Sequence, residues 1–288
     1  MSEKNKKMIG IIGGSGLYEM EGFKNRKELN VSTPFGKPSD SIITGTLDGR
    51  GVAFLPRHGR GHRILPTEVN SHANIYALKK IGVEIIIAIS ATGSMKEEIH
   101  PRDFVIVDQV FDHTRLRPNT FFGNGIAAHI SFDEPYCPCL REVLIRACEN
   151  LKIRHHTKGT YICIEGPSFS TRAESKIYRQ WGVDVIGMTN LPEARLAREA
   201  EICYATVALA TDYDVWKTGE EVTVERVISN LNANIKNVKN LIREVIPMIS
   251  EDSNCKCGAA LKNAIMTEKN KIPIKTLKKL KLLIGKYL

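Results

Sequence analysis

VEIIIAIS at 83–90 is a continuous apolar run of strand length, and it gives way at once to the small, hydroxylic ATGS at 91–94. A run without polar alternation has no solvent face, so it reads as a central strand covered on both sides. In open sheets built on such strands, ligands sit beyond the carboxyl ends. The turn at 90–94 offers hydroxyls and backbone amides at that position. Its alternative reading is a capped helix start, with Ser94 before Glu97 and Glu98 as a capping box. A helix start would itself attract an anion.

Outward from this run, short β-branched stretches alternate with amphipathic ones. Residues 8–12, 104–108, 161–164, 183–188 and 204–210 read as strands, and 41–46 with 52–55 as a strand pair around Asp48-Gly49. Residues 71–80, 138–151, 171–181 and 220–249 have helical spacing, and a further helix starts at Pro192 and runs to about residue 200. This alternation predicts an α/β fold in a single domain, 8–267, whose central sheet is mixed but largely parallel and flanked by helices.

The chain has 288 residues, 42% hydrophobic and 25% charged. Such a composition excludes a disordered chain, a collagen-like repeat and a disulfide-dense miniprotein. The longest strongly apolar stretch, 81–91, is about half a membrane span. The basic start breaks into Gly13-Gly14 too early for a signal peptide, so a cytoplasmic protein is expected. The net charge of +9 lies mostly at the ends: residues 1–7 carry +2 and 268–288 carry +6, leaving +1 for the body. A nucleic-acid face needs its cations clustered on the folded domain, so no nucleic-acid partner is expected. The basic C-terminal tail reads as a solvated amphipathic end, with a membrane-surface or subunit-contact helix as the sharper alternative.

Polar residues gather where the predicted strands end. Gly13-Gly14-Ser15-Gly16 presents amides and a hydroxyl to an anion, or is simply a tight turn. It is neither a dinucleotide fingerprint nor a P-loop, which leaves a nicotinamide-linked oxidoreductase a remote alternative. Arg57 and His58 head a basic loop, where Arg57 suits a two-point grip on phosphate and the imidazole adds a donor. Arg60 and His62 in the same loop read better as solvated. Phe169 lies in a polar loop where an aromatic has little core to fill, and so suits stacking on a planar base. Thr171 and Glu174 behind it form a capping box. Asp212 and Asp214, two apart beyond a strand, are placed to bind a ligand with donors; further metal ligands at clear spacing are absent, and no metal is assigned to them.

Taken together, IIGGSGLYE at 11–19, TPFGKPSD at 33–40, RHGRGH at 57–62, NSHANIYALK at 70–79, IEGPSFSTRAES at 164–175, MTNLPEA at 188–194 and ATDYDVWK at 210–217 are highly specific. The chain resembles the methylthioadenosine-cleaving members of the trimeric purine nucleoside phosphorylase family, from residue 8 to about residue 249. The resemblance implies a nucleoside phosphorylase-like fold. It also implies a pentosyltransferase that uses phosphate to convert S-methyl-5′-thioadenosine to adenine and 5-methylthioribose-1-phosphate. A broader purine nucleoside phosphorylase acting on adenosine or inosine is the alternative. A non-enzymatic nucleotide or nucleic-acid binder working through the tail is a remoter one.

Carried over residue by residue, Ser15, Arg57, His58, Ser90, Ala91 and Thr189 would hold phosphate. Phe169 would pack on the purine, Met188 would touch the ribose, and Asp212 and Asp214 would face purine N7 and the 6-amino group as the catalytic pair. His129, Val224 and Val227 would receive the methylthio group. No cofactor is implied, because inorganic phosphate is a co-substrate. The resemblance further implies a homotrimer, or two trimers stacked as a homohexamer, in which a neighbouring subunit closes the 5′ pocket.

Seven cysteines remain outside this chemistry. Cys137-x-Cys139 with Cys255-x-Cys257 would make a four-cysteine zinc set, but C-x-C is tighter than the usual ligand spacing. Thermophilic proteins resembling this family carry a C-terminal C-x-C and structural disulfides. That implies bonds among Cys137 or Cys139, Cys203, Cys255 and Cys257, against reduced buried thiols as the alternative.

Overall fold

The computed structural model describes residues 7–14, 16–220, 222–251 and 255–288. Its strands are β1 (Met8–Gly13), β2 (Lys24–Leu29), β3 (Ile42–Leu47), β4 (Arg50–Pro56), β5 (Val83–Ser94), β6 (Phe104–Ile106), β7 (Gln109–His113), β8 (His155–His156), β9 (Thr160–Ile164), β10 (Val185–Gly187) and β11 (Cys203–Asp212). The helices are α1 (Ser71–Lys80), α2 (Pro138–Asn150), α3 (Arg172–Gln180), α4 (Glu193–Glu199), α5 (Val224–Met248) and α6 (Ile274–Ile284).

All the strands join one sheet. Its main path runs β2-β3-β4-β1-β5-β10-β9-β7, with β11 against β5 and then β6 and β8. Strand β5 is the hub. It pairs in parallel with β1 and with β11, and at Gly93 and Ser94 in antiparallel with β10. The sheet is therefore mixed but mostly parallel. Side chains alternate across β5: Val83, Ile86 and Ala88 enter one apolar cluster, and Ile85, Ile87 and Ile89 enter the other. Helices α1, α4 and α6 cover the first face, and α2 and α5 the second. Past Glu84, which is exposed at the start of the strand, both faces are buried and the alternation carries no polar residues, which is why 85–89 reads as an unbroken apolar run.

Four differences from the sequence reading have physical causes. Strand β5 continues through Ser94 and no helix follows; instead the Ser94 hydroxyl donates to the Lys96 carbonyl oxygen at 2.8 Å. Strand β2, KNRKEL, is an exposed, polar edge strand and so lacks an apolar signature. The short strands β7 and β8 are likewise too brief and too polar to announce themselves.

Residues 268–288, finally, are not a solvated appendage. Leu280, Leu283 and Ile284 of α6 are buried in the same cluster as α1 and α4, and each such side chain contributes about 1.5–3 kcal/mol. Thr276 donates to the Asn124 carbonyl oxygen, and Lys286 and Tyr287 both meet the Glu201 carboxylate. Lys275, Lys278 and Lys281 are exposed, so a charge count alone hides the apolar stripe. No helix among the described residues is long and apolar enough to cross a membrane.

Candidate active site

The carboxyl ends of β1, β4, β5 and β11 converge, as parallel pairing requires, and the short β10 lies antiparallel across the end of β5 at Gly93 and Ser94. Gly13 and Pro56 are register partners on β1 and β4, and the Arg57 N–H donates to the Gly13 carbonyl oxygen at 3.0 Å. This fixes the start of the basic loop beside the glycine turn. Ser15, in that turn, lies outside the described residues.

Arg57 is buried, and its guanidinium is already engaged. Nε and Nη2 donate to the two Glu193 carboxylate oxygens, both at 2.8 Å, and Nη1 donates to the Ile89 carbonyl oxygen at 2.9 Å. Burial alone would pull its pKa down, but the charge and hydrogen bonds of Glu193 outweigh that and raise it. Of its five N–H groups, two remain for a ligand. Glu193 is in turn held by the Tyr204 hydroxyl at 2.8 Å.

His58 Nδ1 lies 2.9 Å from the Ile64 carbonyl oxygen. A carbonyl only accepts, so Nδ1 carries the proton and Nε2 of the neutral ring is an acceptor, not the donor the loop sequence suggests. Burial, and then the Arg57 charge, push its pKa down to about 4. Its ring stacks on that of His62 at 4.5 Å. Arg60 points elsewhere, into an exposed ion cluster with Glu28 and Asp40.

Ser90 and Thr189 do meet. Ser90 Oγ lies 3.0 Å from Thr189 Oγ1 and 3.2 Å from the hydroxyl of Tyr161, which is fully buried. A Cβ on Gly187 would stand 1.9 Å from the Tyr161 oxygen, so only glycine permits this three-hydroxyl cluster. Ala91 follows Ser90 on β5, where it pairs with Leu209. Met188 precedes Thr189, and its carbonyl oxygen is bound by Arg117. Arg117 also donates to the carboxylate and carbonyl oxygens of Glu165 and to the carbonyl oxygen of Leu191.

Asp212 and Asp214 close the other side. Both are buried, and burial raises both pKa values, that of Asp214 further through the Asp212 charge. Asp212 Oδ1 accepts from the Asp214 N–H at 2.8 Å. The Thr211 hydroxyl lies 2.7 Å from Asp212 Oδ2 and 3.1 Å from the Thr92 carbonyl oxygen. One hydroxyl proton cannot serve two acceptors, whereas a proton on Asp212 Oδ2 would satisfy both contacts. Asp214 adopts φ +49°, a left-handed conformation that aspartate tolerates; its Oδ2 is buried with no partner at full hydrogen-bond geometry, and the Ser175 hydroxyl beside it, likewise unpartnered, pulls its pKa down against burial. A Cβ on Gly93 would lie 3.0 Å from Asp212 Oδ1, so β5 needs glycine there to admit the carboxylate.

Next along the chain, the segment after Asp214 and the α3 region line a cleft of about 1240 Å³, with Ser170, Arg179, Val215 and Trp216 among its walls. Ser170 Oγ is buried and unpartnered, and Phe169 beside it is 46% exposed. The Asn230 side chain donates to the Thr211 carbonyl oxygen at 2.6 Å, which fastens the first turns of α5 to the end of β11. Val224 and Val227, three residues apart on those turns, therefore lie at the same rim. His129 is not gathered with them. It is exposed, and its N–H pairs with the Ala264 carbonyl oxygen.

Glu193, Tyr161, Arg117 and Ser170 escape a reading of the sequence alone. For Glu193 the signal present is a carboxylate next to Pro192 at a helix start, amid apolar residues. The cysteines regroup as well: Cys203, not Cys139, joins Cys137, Cys255 and Cys257, because α2 begins at Pro138 and turns residue 139 off the face of residue 137.

Residues 8–247 match the family described as the phosphorylase superfamily. The chain is 54% identical over 280 residues to the S-methyl-5′-thioadenosine phosphorylase of Koribacter versatilis, covering 97% of this chain and 96% of that one. It is 55% identical over 284 residues to that of Geobacter sulfurreducens, covering 98% and 99%. A crystal structure of a methylthioadenosine phosphorylase from an antarctic soil metagenomic library superposes with TM-score 0.93 at 48% identity, covering 97% and 99%. The Schistosoma mansoni methylthioadenosine phosphorylase in complex with adenine gives 0.86 at 36% identity, covering 90% and 99%. By its sequence and by its fold, the chain belongs to the phosphorylase superfamily.

Proposed function

We propose that this protein is an S-methyl-5′-thioadenosine phosphorylase: the nucleoside and phosphate become adenine and 5-methylthioribose-1-phosphate. The observation that carries the reading is the buried Asp212–Asp214 pair, with its raised pKa values and one oxygen with no partner at full hydrogen-bond geometry, facing an arginine–hydroxyl cluster across the same strand ends.

Breaking an N-glycosidic bond builds positive charge on the sugar and negative charge on the departing purine. Phosphate is held beneath C1′ by the two remaining Arg57 N–H groups, by Ser90, Thr189 and the amide of Ala91, and by Ser15. Positioning and charge then do the work of the nucleophile's approach. Neutral His58 accepts a hydrogen bond at Nε2 from the P–OH of a monohydrogen phosphate, which keeps its proton. Asp212 gives its proton to purine N7 as the leaving group departs. Asp214 Oδ2 accepts from a 6-amino group and would oppose a 6-oxo oxygen, which selects adenine. Phe169 packs on the base, the Ser170 hydroxyl serves a ring nitrogen, and Met188 meets the ribose. Val224 and Val227 take the methylthio group. Phosphate is the co-substrate, and the chemistry needs no cofactor.

His129 completes the 5′ pocket of a neighbouring copy in a homotrimer or homohexamer, which fits its exposure and its separation from the other groups. Phe111, Ile177 and Trp181 on the outer edge are exposed apolar side chains suited to subunit contact. The enzyme acts in the cytoplasm.

The test is adenine release from methylthioadenosine with and without phosphate, beside adenosine and inosine. Strictly phosphate-dependent release, fastest with methylthioadenosine, is expected. Faster inosine cleavage would overturn the base assignment, and phosphate-independent release would overturn the mechanism.

A further inference from the structure

Four of the seven cysteines meet far from the reacting groups. The sulfurs of Cys137, Cys203, Cys255 and Cys257 all lie within 4.8 Å of one another, and those of Cys203 and Cys255 are 3.2 Å apart. Cys203 opens β11 and Asp212 ends it, so the cluster lies about 30 Å from the carboxylate pair by the rise of a strand.

The approach is built by the backbone. The Cys137 N–H donates to the Tyr204 carbonyl oxygen at 2.8 Å, which seats the start of α2 beside the start of β11. The Leu261 N–H donates to Glu201 at 3.0 Å, which draws the segment after Cys257 to the same place. Cys137 and Cys257 are buried, and Cys203 and Cys255 are half-buried.

We propose that Cys137, Cys203, Cys255 and Cys257 form a tetrahedral thiolate site for one zinc ion. Zinc binds thiolate sulfur at about 2.3 Å, so the sulfurs of such a site stand about 3.8 Å apart. Two disulfides would need only two close pairs, whereas here every sulfur is near every other. On binding, four thiols release four protons to solvent and form four zinc–sulfur bonds, leaving the site with charge −2. Two features favour that charge. Cys137 is the N-cap of α2 and its side chain makes no capping bond, so its sulfur lies in the positive field of the helix start. The Lys79 ammonium is close enough to Cys203 for the two to interact electrostatically. The ion would bind the chain beyond α5 to the starts of β11 and α2, as a structural clamp.

The experiment uses the full-length protein, reduced, supplied with zinc and freed of excess. Elemental analysis is expected to find roughly one zinc per chain, released by a thiol-modifying reagent. Cobalt loaded in its place is expected to show the thiolate charge-transfer and intense visible bands of tetrahedral coordination. Cys203→Ser and Cys257→Ser are expected to weaken zinc retention at least about tenfold, while Cys148→Ser leaves it unchanged. The cobalt spectrum needs no variant, so a misfolded mutant does not spoil the test. No zinc retained, with seven thiols titrating in denaturant, would mean plain reduced thiols and overturn the site. No zinc, with two or four fewer thiols before reduction, would mean disulfides and overturn it equally. Retention untouched by Cys203→Ser and Cys257→Ser would place the ion elsewhere and also overturn it.

Discussion

Arg57 and Glu193 form a buried, two-point ion pair, with both N···O distances at 2.8 Å. The pair neutralises the arginine before any ligand arrives, and it aims the two remaining N–H groups. Removing one partner of a buried pair leaves an uncompensated charge, which costs about 3–5 kcal/mol. Glu193→Gln is therefore expected to lower stability by that order. Phosphate, arriving as a dianion, should restore part of it. Thermal unfolding with and without phosphate checks this: the phosphate-induced rise in Tm should be larger in the variant than in the parent. Equal rises would mean that Arg57 does not touch phosphate.

Asp214, rather than Asp212, owns the oxygen with no partner at full hydrogen-bond geometry. Selection between 6-amino and 6-oxo purines should accordingly rest on it. Asp214→Asn turns an acceptor into a donor and is expected to raise the inosine-to-adenosine ratio of kcat/KM by about tenfold or more, in line with about 1–3 kcal/mol for a buried mismatch. Asp212→Asn should instead lower kcat for every substrate, because it removes the proton given to N7. Steady-state kinetics on both nucleosides separates the two roles; an unchanged ratio in Asp214→Asn refutes the assignment.

Glu199 supplies a pH dependence of stability. It is buried, and its oxygens accept from the Thr120 hydroxyl and the Phe121 N–H, both at 2.6 Å. Burial raises its pKa from 4.5 to about 7, against those two bonds. Below 4.5 both folded and unfolded chains hold the proton. Between 4.5 and 7 the unfolded chain releases it first, so stability falls as pH rises through that window. Glu199→Gln keeps the neutral shape. It should match the parent near pH 4 and exceed it near pH 8 by up to about 3 kcal/mol. Urea unfolding at the two pH values is the check, and a difference that does not change with pH would dismiss the ionisation.

Leu283 makes the C-terminal helix part of the fold. It is 3% exposed and lies in the cluster that covers β5. Leu283→Ala is expected to cost about 2–5 kcal/mol, whereas Lys278→Ala, on the outer face, should change stability by less than about 0.5 kcal/mol. A loss of stability in neither variant would detach α6 from the core.

The strand ends were legible because apolar runs mark strands, and the polar residues after them follow by position. Arg57, Ser90, Asp212 and Asp214 stand out as candidates in that way. The partners of Arg57 and Ser90 do not, because each comes from far along the chain: Glu193 lies 136 residues from Arg57, and Tyr161 lies 71 from Ser90. A local pattern records what a strand presents, not what folds against it. The polarity of His58 shows the same limit, since a ring nitrogen's role is set by the carbonyl it meets. The lysines of α6 hid three core residues, because composition counts charge without regard to face.

Strand β5 carries one further consequence. Ser90 stands among the hydroxyls and Gly93 against Asp212, three residues apart on one continuous strand, so about 10 Å separates the two halves of the site. That interval is of the order of the reach from a nucleoside's sugar-bound anion to the far edge of its base. The backbone thus acts as a ruler. Loops around it are free to diverge and admit other 5′ groups or other bases, but a residue gained or lost between 90 and 93 would change the ruler's length and turn every following side chain to the opposite face. Substrate range can drift in this architecture; the size of the scissile unit cannot.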